Sequence, residues 1–272
     1  MTEATASYKA QDAGEALFGK QNAATEQRKA QMSEAEWQVR TDLAAAYRLV
    51  ALFGWEDLVF THLSARVPGP EHHFLINPYG LLFDEITASS LVKVDQDGEI
   101  VDPGATNRVN PAGFTIHSAV HMAREEAGAV LHLHAADGVA VSAFKDGLLP
   151  LSQTAMLCLD HVTYHDYEGV ALNLDERQRL VKDLGDKNIM LLRNHGTLTV
   201  GRDVGEAFTF MYFLMKASEI QVRTLGQGEP YLPSQQALDT TSDQSKGLGM
   251  ASKLTWPALL RKLERIGSDY AS

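Results

Sequence analysis

The feature that most limits the possible folds is an alternation of helix and strand patterns between residues 111 and 220. Residues 111–127 have a helical pattern that begins with proline, and residues 129–134 (Ala-Val-Leu-His-Leu-His) have the composition of a strand. The alternation continues with helices predicted at residues 137–144, 175–184 and 204–220, and with strands predicted at residues 161–164 and 189–192. This order of elements predicts an α/β domain.

The remaining segments predict one domain with an extension at each end. Ser33 and Glu36 have capping-box spacing, so we expect the first core helix to begin there and to end near Gly54. Short β-like segments separated by turns, among them residues 58–60, predict sheet over residues 57–102. The composition predicts a mobile arm (1–32), the α/β domain (33–230), and a polar linker followed by a C-terminal helix (231–272).

Composition narrows the classes of function. The 272-residue chain has a formal net charge of -11, which opposes binding to nucleic acid and to anionic membrane surfaces. The sequence contains no apolar run near the roughly 20 residues that a transmembrane helix needs. Its single cysteine, Cys158, excludes an internal disulfide. We therefore expect a cytoplasmic protein that acts on a small molecule, with no nucleic-acid or membrane partner.

Three histidines are the main candidates for a chemical site. Side chains at positions i and i+2 of a strand point to the same face, so His132 and His134 would present two imidazoles side by side. His195 follows the strand predicted at residues 189–192, and its nitrogen would complete a three-ligand set with an open position. The set predicts a divalent metal, Zn²⁺ by default, with Fe²⁺ or Mn²⁺ as alternatives. In the alternative interpretation, each histidine forms only local hydrogen bonds.

Residues 129–135 and 191–196 resemble the metal-site motif of the class II aldolase/adducin family. Similarity extends from about Trp55 to about Leu225, and residues 74–82 and 112–119 resemble the adducin-like branch especially. The resemblance implies a three-layer α/β/α sandwich and a homo-oligomer, usually a tetramer, with the metal near a subunit interface. It also implies that the metal ligands are His132, His134 and His195.

The chain departs from the sugar-phosphate aldolases of that family where they bind phosphate and transfer a proton. Gly113 occupies the position of their glutamate, and glycine cannot carry a proton. Most of the phosphate-binding hydroxyls and amides of those enzymes are also missing. We therefore expect a small non-phosphorylated hydroxy-carbonyl or aromatic acid as substrate, with candidate substrate-binding positions at His62, Ser64, Tyr79, Gly80, Gly113 and Arg193.

The missing glutamate leaves the proton-transferring residue open. His117 is the first candidate because imidazole titrates near neutral pH, and His121 lies one turn further along the same helix face. Tyr164 and His165 are further catalytic candidates, because they lie in a family region that often reaches a neighbouring subunit's active site. For each of these residues the alternative is a structural role in packing or at an interface.

Three functions fit these observations. The first is a metal-dependent carbon–carbon lyase, of aldolase or decarboxylase type, in which the metal stabilises the carbanion formed on bond cleavage. The second is a non-haem iron oxygenase that uses the same three histidines. The third is a non-catalytic assembly module, because the adducin head shares these motifs and serves in a cytoskeletal scaffold. The intact histidine set favours the enzyme.

Overall fold

The computed structural model describes residues 25–102, 109–169 and 175–272. Its strands are β1 (His62–Arg66), β2 (Phe74–Ile76), β3 (Val92–Val94), β4 (Ala129–Leu133), β5 (Val162–His165), β6 (Ile189–Leu192) and β7 (Gly196–Gly201). They form one mixed sheet in the order β3-β2-β1-β4-β7-β6-β5. Neighbouring strands are antiparallel except β5 and β6, which are parallel.

Eight α-helices of the described chain surround this sheet, with short 3₁₀ turns at Phe83–Glu85 and Leu248–Ala251. The helices are α1 (Glu34–Phe53), α2 (Pro111–Ala123), α3 (Ala136–Ala143), α4 (Gln153–Leu159), α5 (Glu176–Leu184), α6 (Val204–Leu225), α7 (Gln235–Ser245) and α8 (Ser252–Arg265). The ends of α1 confirm the predicted caps. The Ser33 side chain accepts a hydrogen bond from the Glu36 backbone N–H, and Gly54 ends the helix at φ 69°.

Alternating side chains divide the core between the two faces of the sheet. Leu131 and Leu191 pack on one face with residues of α1 and α6. Val130 and Met190, each one position earlier in its strand, pack on the other face with residues of α2 and α5. Helices therefore cover both faces, which confirms the three-layer α/β/α sandwich.

Two strand predictions near the site were incomplete. The segment 58–60 is a tight turn in which the Phe60 N–H bonds to the Asp57 carbonyl, and the strand begins only at His62. Strand β7 was not predicted, because its sequence Gly-Thr-Leu-Thr-Val-Gly begins and ends with glycine. It forms because β4 and β6 offer a partner edge on each side.

Both predicted extensions pack on the domain where they are described. The expected linker contains helix α7, whose Ser245 carbonyl accepts a hydrogen bond from the His161 ring. Helix α8 is held by a 2.9 Å bond from the Trp256 indole N–H to Asp42. At the other end, Arg28 lies 2.7 Å from the buried carboxylate of Asp102. Residues 1–24 of the predicted arm lie outside the described residues.

Within the described residues, no helix combines the length and apolarity needed to cross a bilayer.

Candidate metal centre

Strand β4 and the β6–β7 hairpin bring the three predicted histidines together. His132 lies in β4, His134 directly follows its last residue, and His195 lies in the three-residue turn of the hairpin. Asn194 takes the left-handed conformation in this turn, at φ 58°, which asparagine tolerates better than most residues. Because β7 pairs with β4, the ligand nitrogens of the three histidines lie within 4.8 Å of one another.

Gly196 makes this close approach possible. A Cβ atom at position 196 would lie 2.5 Å from the Leu133 carbonyl oxygen, 3.0 Å from the His134 ring and 3.2 Å from the His132 ring. Real Cβ contacts do not reach the first of these distances, so any side chain would separate β7 from the histidines. Glycine is therefore required after His195, because a side chain at position 196 would overlap the neighbouring backbone and the histidine rings.

Hydrogen bonds determine which ring nitrogen of two histidines is free. The His132 Nδ1 lies 3.0 Å from the Thr197 carbonyl oxygen, and the His134 Nδ1 lies 3.0 Å from a carboxylate oxygen of Asp57. Both oxygens only accept hydrogen bonds, so both Nδ1 atoms donate, and the neutral form of each ring carries its lone pair on Nε2. These two Nε2 atoms are 3.1 Å apart. Two lone pairs at this distance repel each other unless a cation binds them, so the residues fit a divalent metal.

Burial keeps the imidazoles of His132 and His195 in the neutral form that binds metal. The pKa of His132 is well below its ordinary value, because burial and then the neighbouring His195 and His134 oppose a positive charge. Burial, followed by the charges of His134 and His165, lowers the pKa of His195 to about 4. At neutral pH both side chains are therefore ready to act as ligands.

His117 and Ser64, two predicted site residues, lie in a second polar cluster beneath α2. The Ser64 hydroxyl on β1 lies 2.6 Å from His117 Nδ1 and 2.7 Å from His121 Nε2. The other ring nitrogen of His121 lies 3.1 Å from the Ala127 carbonyl oxygen. The pKa of His117 lies well below the ordinary histidine value, because of burial and then the adjacent His62 and His121. His117 is thus a neutral group at physiological pH.

His62 connects this cluster to the metal centre. It lies opposite His132 in the β1–β4 pair, and the two rings are stacked with centroids 6.2 Å apart. Its ring occupies the space above Gly113, where a Cβ would lie only 2.5 Å away. Neither ring nitrogen of His62 has a hydrogen-bond partner among the described residues, and the ring is 5% exposed. Such a group is available to a bound ligand.

The other predicted residues have structural contacts in this chain. Tyr164 accepts a hydrogen bond from the Leu148 N–H and packs against the core on the α1 and α6 face. Arg193 stacks on the Tyr164 ring and donates to the Phe144 carbonyl. His165 lies 2.8 Å from Asp183, which attaches β5 to α5. His165 and Arg193 line a small pocket together with His195, whereas none of the contacts given above joins Tyr164 to the histidine cluster.

Tyr79 and Gly80 form an exposed turn after β2, with Gly80 at φ 104°. The contacts described for this turn do not include the histidine cluster.

Sequence reasoning missed the groups that orient the histidines. Asp57 comes from a turn that was predicted as strand, and Thr197 contributes a backbone carbonyl, which no sequence motif reveals. For His121 the sequence leaves a packing role as the alternative to a role in the site. Its spacing of four residues from His117 was the available signal, and the bond of both rings to Ser64 gives that spacing its meaning.

Comparison with known proteins agrees with this architecture. The family model "Class II Aldolase and Adducin N-terminal domain" matches residues 41–222. A crystal structure of an aldolase II superfamily protein from Pseudomonas syringae superimposes with a TM-score of 0.87 and 52% identity, covering 90% of this chain and 99% of that one. L-fuculose 1-phosphate aldolase from Glaciozyma antarctica superimposes with a TM-score of 0.75 and 30% identity, over 88% and 93% of the two chains.

A relative without an enzyme name is equally similar in sequence. Alpha-adducin of Rattus norvegicus is 52% identical over 189 residues, which are 69% of this chain and 26% of alpha-adducin. The match therefore concerns one part of that longer protein. With the family model matching most of the chain, and with the sandwich and the three clustered histidines in place, the chain belongs to the class II aldolase and adducin N-terminal domain family.

Proposed function

We propose that this chain is a metal-dependent carbon–carbon lyase that acts on a small non-phosphorylated hydroxy-carbonyl or aromatic acid. The observation that carries the proposal is the 3.1 Å separation of the Nε2 atoms of His132 and His134, each ring being oriented by a hydrogen-bond partner at Nδ1. Without a cation this arrangement has an electrostatic cost. Similarity to the solved L-fuculose 1-phosphate aldolase supports the reaction class.

His132, His134 and His195 would hold the metal. When bound, a divalent cation withdraws electron density from a carbonyl oxygen and so stabilises negative charge on the adjacent carbon. Asp57 and the Thr197 carbonyl keep two of the imidazoles in the ligating tautomer. Zn²⁺ is the expected ion for three neutral nitrogen ligands, with Fe²⁺ or Mn²⁺ as alternatives.

His117 would replace the missing glutamate as the proton-transferring group. In the retro-aldol direction, its Nε2 takes the proton of the substrate hydroxyl while the carbon–carbon bond breaks. The electron pair of that bond stays on the fragment that carries the carbonyl group. The same nitrogen then returns the proton to that carbon, so the histidine ends as it began.

The buried surroundings favour an uncharged part of the substrate at this place. His62 and His117 are both neutral at pH 7, since burial and then the nearby His134 and His195 lower the pKa of His62 to about 3. Gly113 brings no carboxylate beside them. A hydroxyl or carbonyl group can bond to these imidazoles, whereas phosphate would gain no ion pair with either of these two neutral side chains.

Similarity to alpha-adducin favours a second candidate, a non-catalytic assembly module. In this case the histidine cluster would maintain the fold and would not need a metal. In both cases we propose a cytoplasmic homotetramer, with the histidine cluster near a subunit interface in the enzyme.

Metal analysis of protein purified without chelators tests the proposal. We expect near one metal per wild-type chain, and its loss in His132→Ala and in His195→Ala. His73→Ala removes a half-buried histidine outside the cluster and is the matched control, which should retain the metal. Absence of metal even after incubation with Zn²⁺, Mn²⁺ or Fe²⁺ would reject the lyase and favour the assembly module. Bound iron together with oxygen uptake would instead support the oxygenase.

A further inference from the structure

A chain of hydrogen bonds leads away from the Nδ1 atom of His117 through groups that do not face the metal cluster. It runs from His117 to the Ser64 hydroxyl, from there to His121, and ends at the Ala127 carbonyl oxygen, with separations of 2.6, 2.7 and 3.1 Å. All three side chains are at most 1% exposed. Water therefore has little access with which to replace any of these bonds.

The donor and the acceptor of each hydrogen bond in this series can be assigned by starting from the Ala127 carbonyl. The Ala127 carbonyl only accepts, so His121 Nδ1 donates to it, and neutral His121 carries its lone pair on Nε2. The Ser64 hydroxyl must then donate its one proton to His121 Nε2. Its oxygen can now only accept from His117, so His117 Nδ1 is the protonated nitrogen. The lone pair of neutral His117 is consequently on Nε2.

That Nε2 atom is buried and has no hydrogen-bond partner within the described part of the chain. The nearest aromatic neighbour on the strand side is His62, whose ring lies edge to face at 5.7 Å and whose two nitrogens are likewise unpartnered there. His62 in turn lies opposite the candidate ligand His132. An acceptor nitrogen is therefore available beside the metal centre.

We propose that Ser64 and His121 are positioning residues that fix His117 as the Nδ1–H tautomer, leaving Nε2 as a proton acceptor for a hydroxyl group of the substrate. The inference deepens the proposed function and depends on it only for the identity of the proton donor. The tautomer itself depends on protein contacts alone. Neither Ser64 nor His121 needs to touch the substrate, because each acts through the next bond in the chain.

Nitrogen NMR of the full chain with ¹⁵N-labelled histidine tests the inference. Couplings between ring protons and ring nitrogens distinguish a protonated nitrogen from one with a lone pair, and His117→Gln and His121→Gln identify the two sets of signals. At about pH 8, above the ordinary histidine pKa, we expect both rings to have a protonated Nδ1 and an unprotonated Nε2. A wild-type His117 ring protonated on Nε2 would overturn the proposal without any further variant.

Ser64→Ala removes the hydroxyl group that links His117 to His121 in this series of hydrogen bonds. We expect His117 to change from one tautomer to a mixture of both, with a change of at least several-fold in the ratio of the two forms. Ser142→Ala is the matched control, because Ser142 is equally buried and its hydroxyl bonds only to the Val139 carbonyl one turn earlier in α3. An unchanged His117 tautomer in Ser64→Ala would also contradict the inference.

Spectra of metal-free and zinc-loaded protein separate this inference from the proposed function. If the protein binds no metal, the proposed lyase function is rejected, while the spectra still show which nitrogen of His117 is protonated. If zinc binds but His117 is protonated on Nε2, the metal centre is supported and the positioning role is rejected. A merely structural role of Ser64 would lower stability in Ser64→Ala but would leave the His117 tautomer unchanged.

Discussion

At the scale of single residues, the missing side chain at position 113 has the largest effect on the site. Gly113 lies in the first turn of α2, where alanine would ordinarily be preferred. The His62 ring occupies the space that a Cβ would need. The residue that departs from the aldolase pattern is therefore also the one that admits a fifth imidazole beside His117, His132, His134 and His195.

The contact between position 113 and the His62 ring predicts that the effect of Gly113→Ala on the free energy of unfolding depends on whether His62 is present. Gly113→Ala should lower the free energy of unfolding by about 1–3 kcal/mol in the wild type, because the new methyl group overlaps the His62 ring. In a His62→Ala background the space is free, and the helix preference for alanine should make Gly113→Ala neutral or stabilising by up to about 1 kcal/mol. Urea unfolding of the four proteins measures the coupling. Equal effects in both backgrounds would contradict it.

At the scale of elements, the site depends on a hairpin strand that the sequence pattern obscured and on a C-terminal helix that it predicted. Strand β7 carries Gly196 against β4 and brings His195 to the other two histidines. Behind it lies α6, and against α6 lies α8, where the Trp256 ring fits over Gly205 and lies 5.8 Å from the Phe208 ring. The C-terminal segment therefore supports the layer on which the sheet rests.

The packing of α8 predicts a marked loss of stability when its aromatic anchor is removed. Trp256→Ala deletes the ring over Gly205 and the hydrogen bond to Asp42, and should lower the free energy of unfolding by about 3 kcal/mol. Leu254→Ala is the control on the same helix, because Leu254 is 81% exposed and its loss should cost no more than about 0.5 kcal/mol. Equal midpoints of chemical denaturation for the two variants would show that α8 is not part of the cooperative unit.

At the scale of the whole molecule, the concentration of buried neutral histidines makes stability depend on acid. Burial lowers the pKa of His62 and of His121 to about 3, against an ordinary value of 6.5. Between these values the unfolded chain binds more protons than the folded chain. The contribution of each residue is therefore complete above about pH 6.5 and is lost as the pH falls toward 3.

We therefore expect the free energy of unfolding of the metal-free protein to fall on acidification below pH 6.5. Each such histidine contributes about 1.4 kcal/mol per pH unit over the interval between its two pKa values. Urea unfolding at several pH values from 7 to 5 measures how steeply the free energy of unfolding falls with pH. His121→Phe removes one of the buried histidines and should reduce this slope by the contribution of that one residue. A stability that stays constant down to pH 5 would show that these histidines are protonated in the folded state.

The sequence by itself determined the features that depend on local periodicity. Ser33 and Gly54 mark the ends of α1 because capping is a local interaction, and the period of two in β4 places the side chain of His132 beside that of His134. The alternation of helices and strands indicated the α/β domain for the same reason, and the family resemblance added the three-layer sandwich. No periodicity links His195 to the other two histidines; its place after the strand predicted at residues 189–192 suggested it, and the family motif agreed.

Only the tertiary structure decided how these histidines are oriented and what surrounds them. Asp57, the Thr197 carbonyl and Ser64 reach their partners across 77, 65 and 53 residues of sequence. Strand β7 forms because two neighbours complete its hydrogen bonds, although the glycines at its two ends hide it in the sequence pattern. A tautomer or a lone pair has no counterpart in sequence pattern, because it depends on which donors and acceptors the fold brings within about 3 Å.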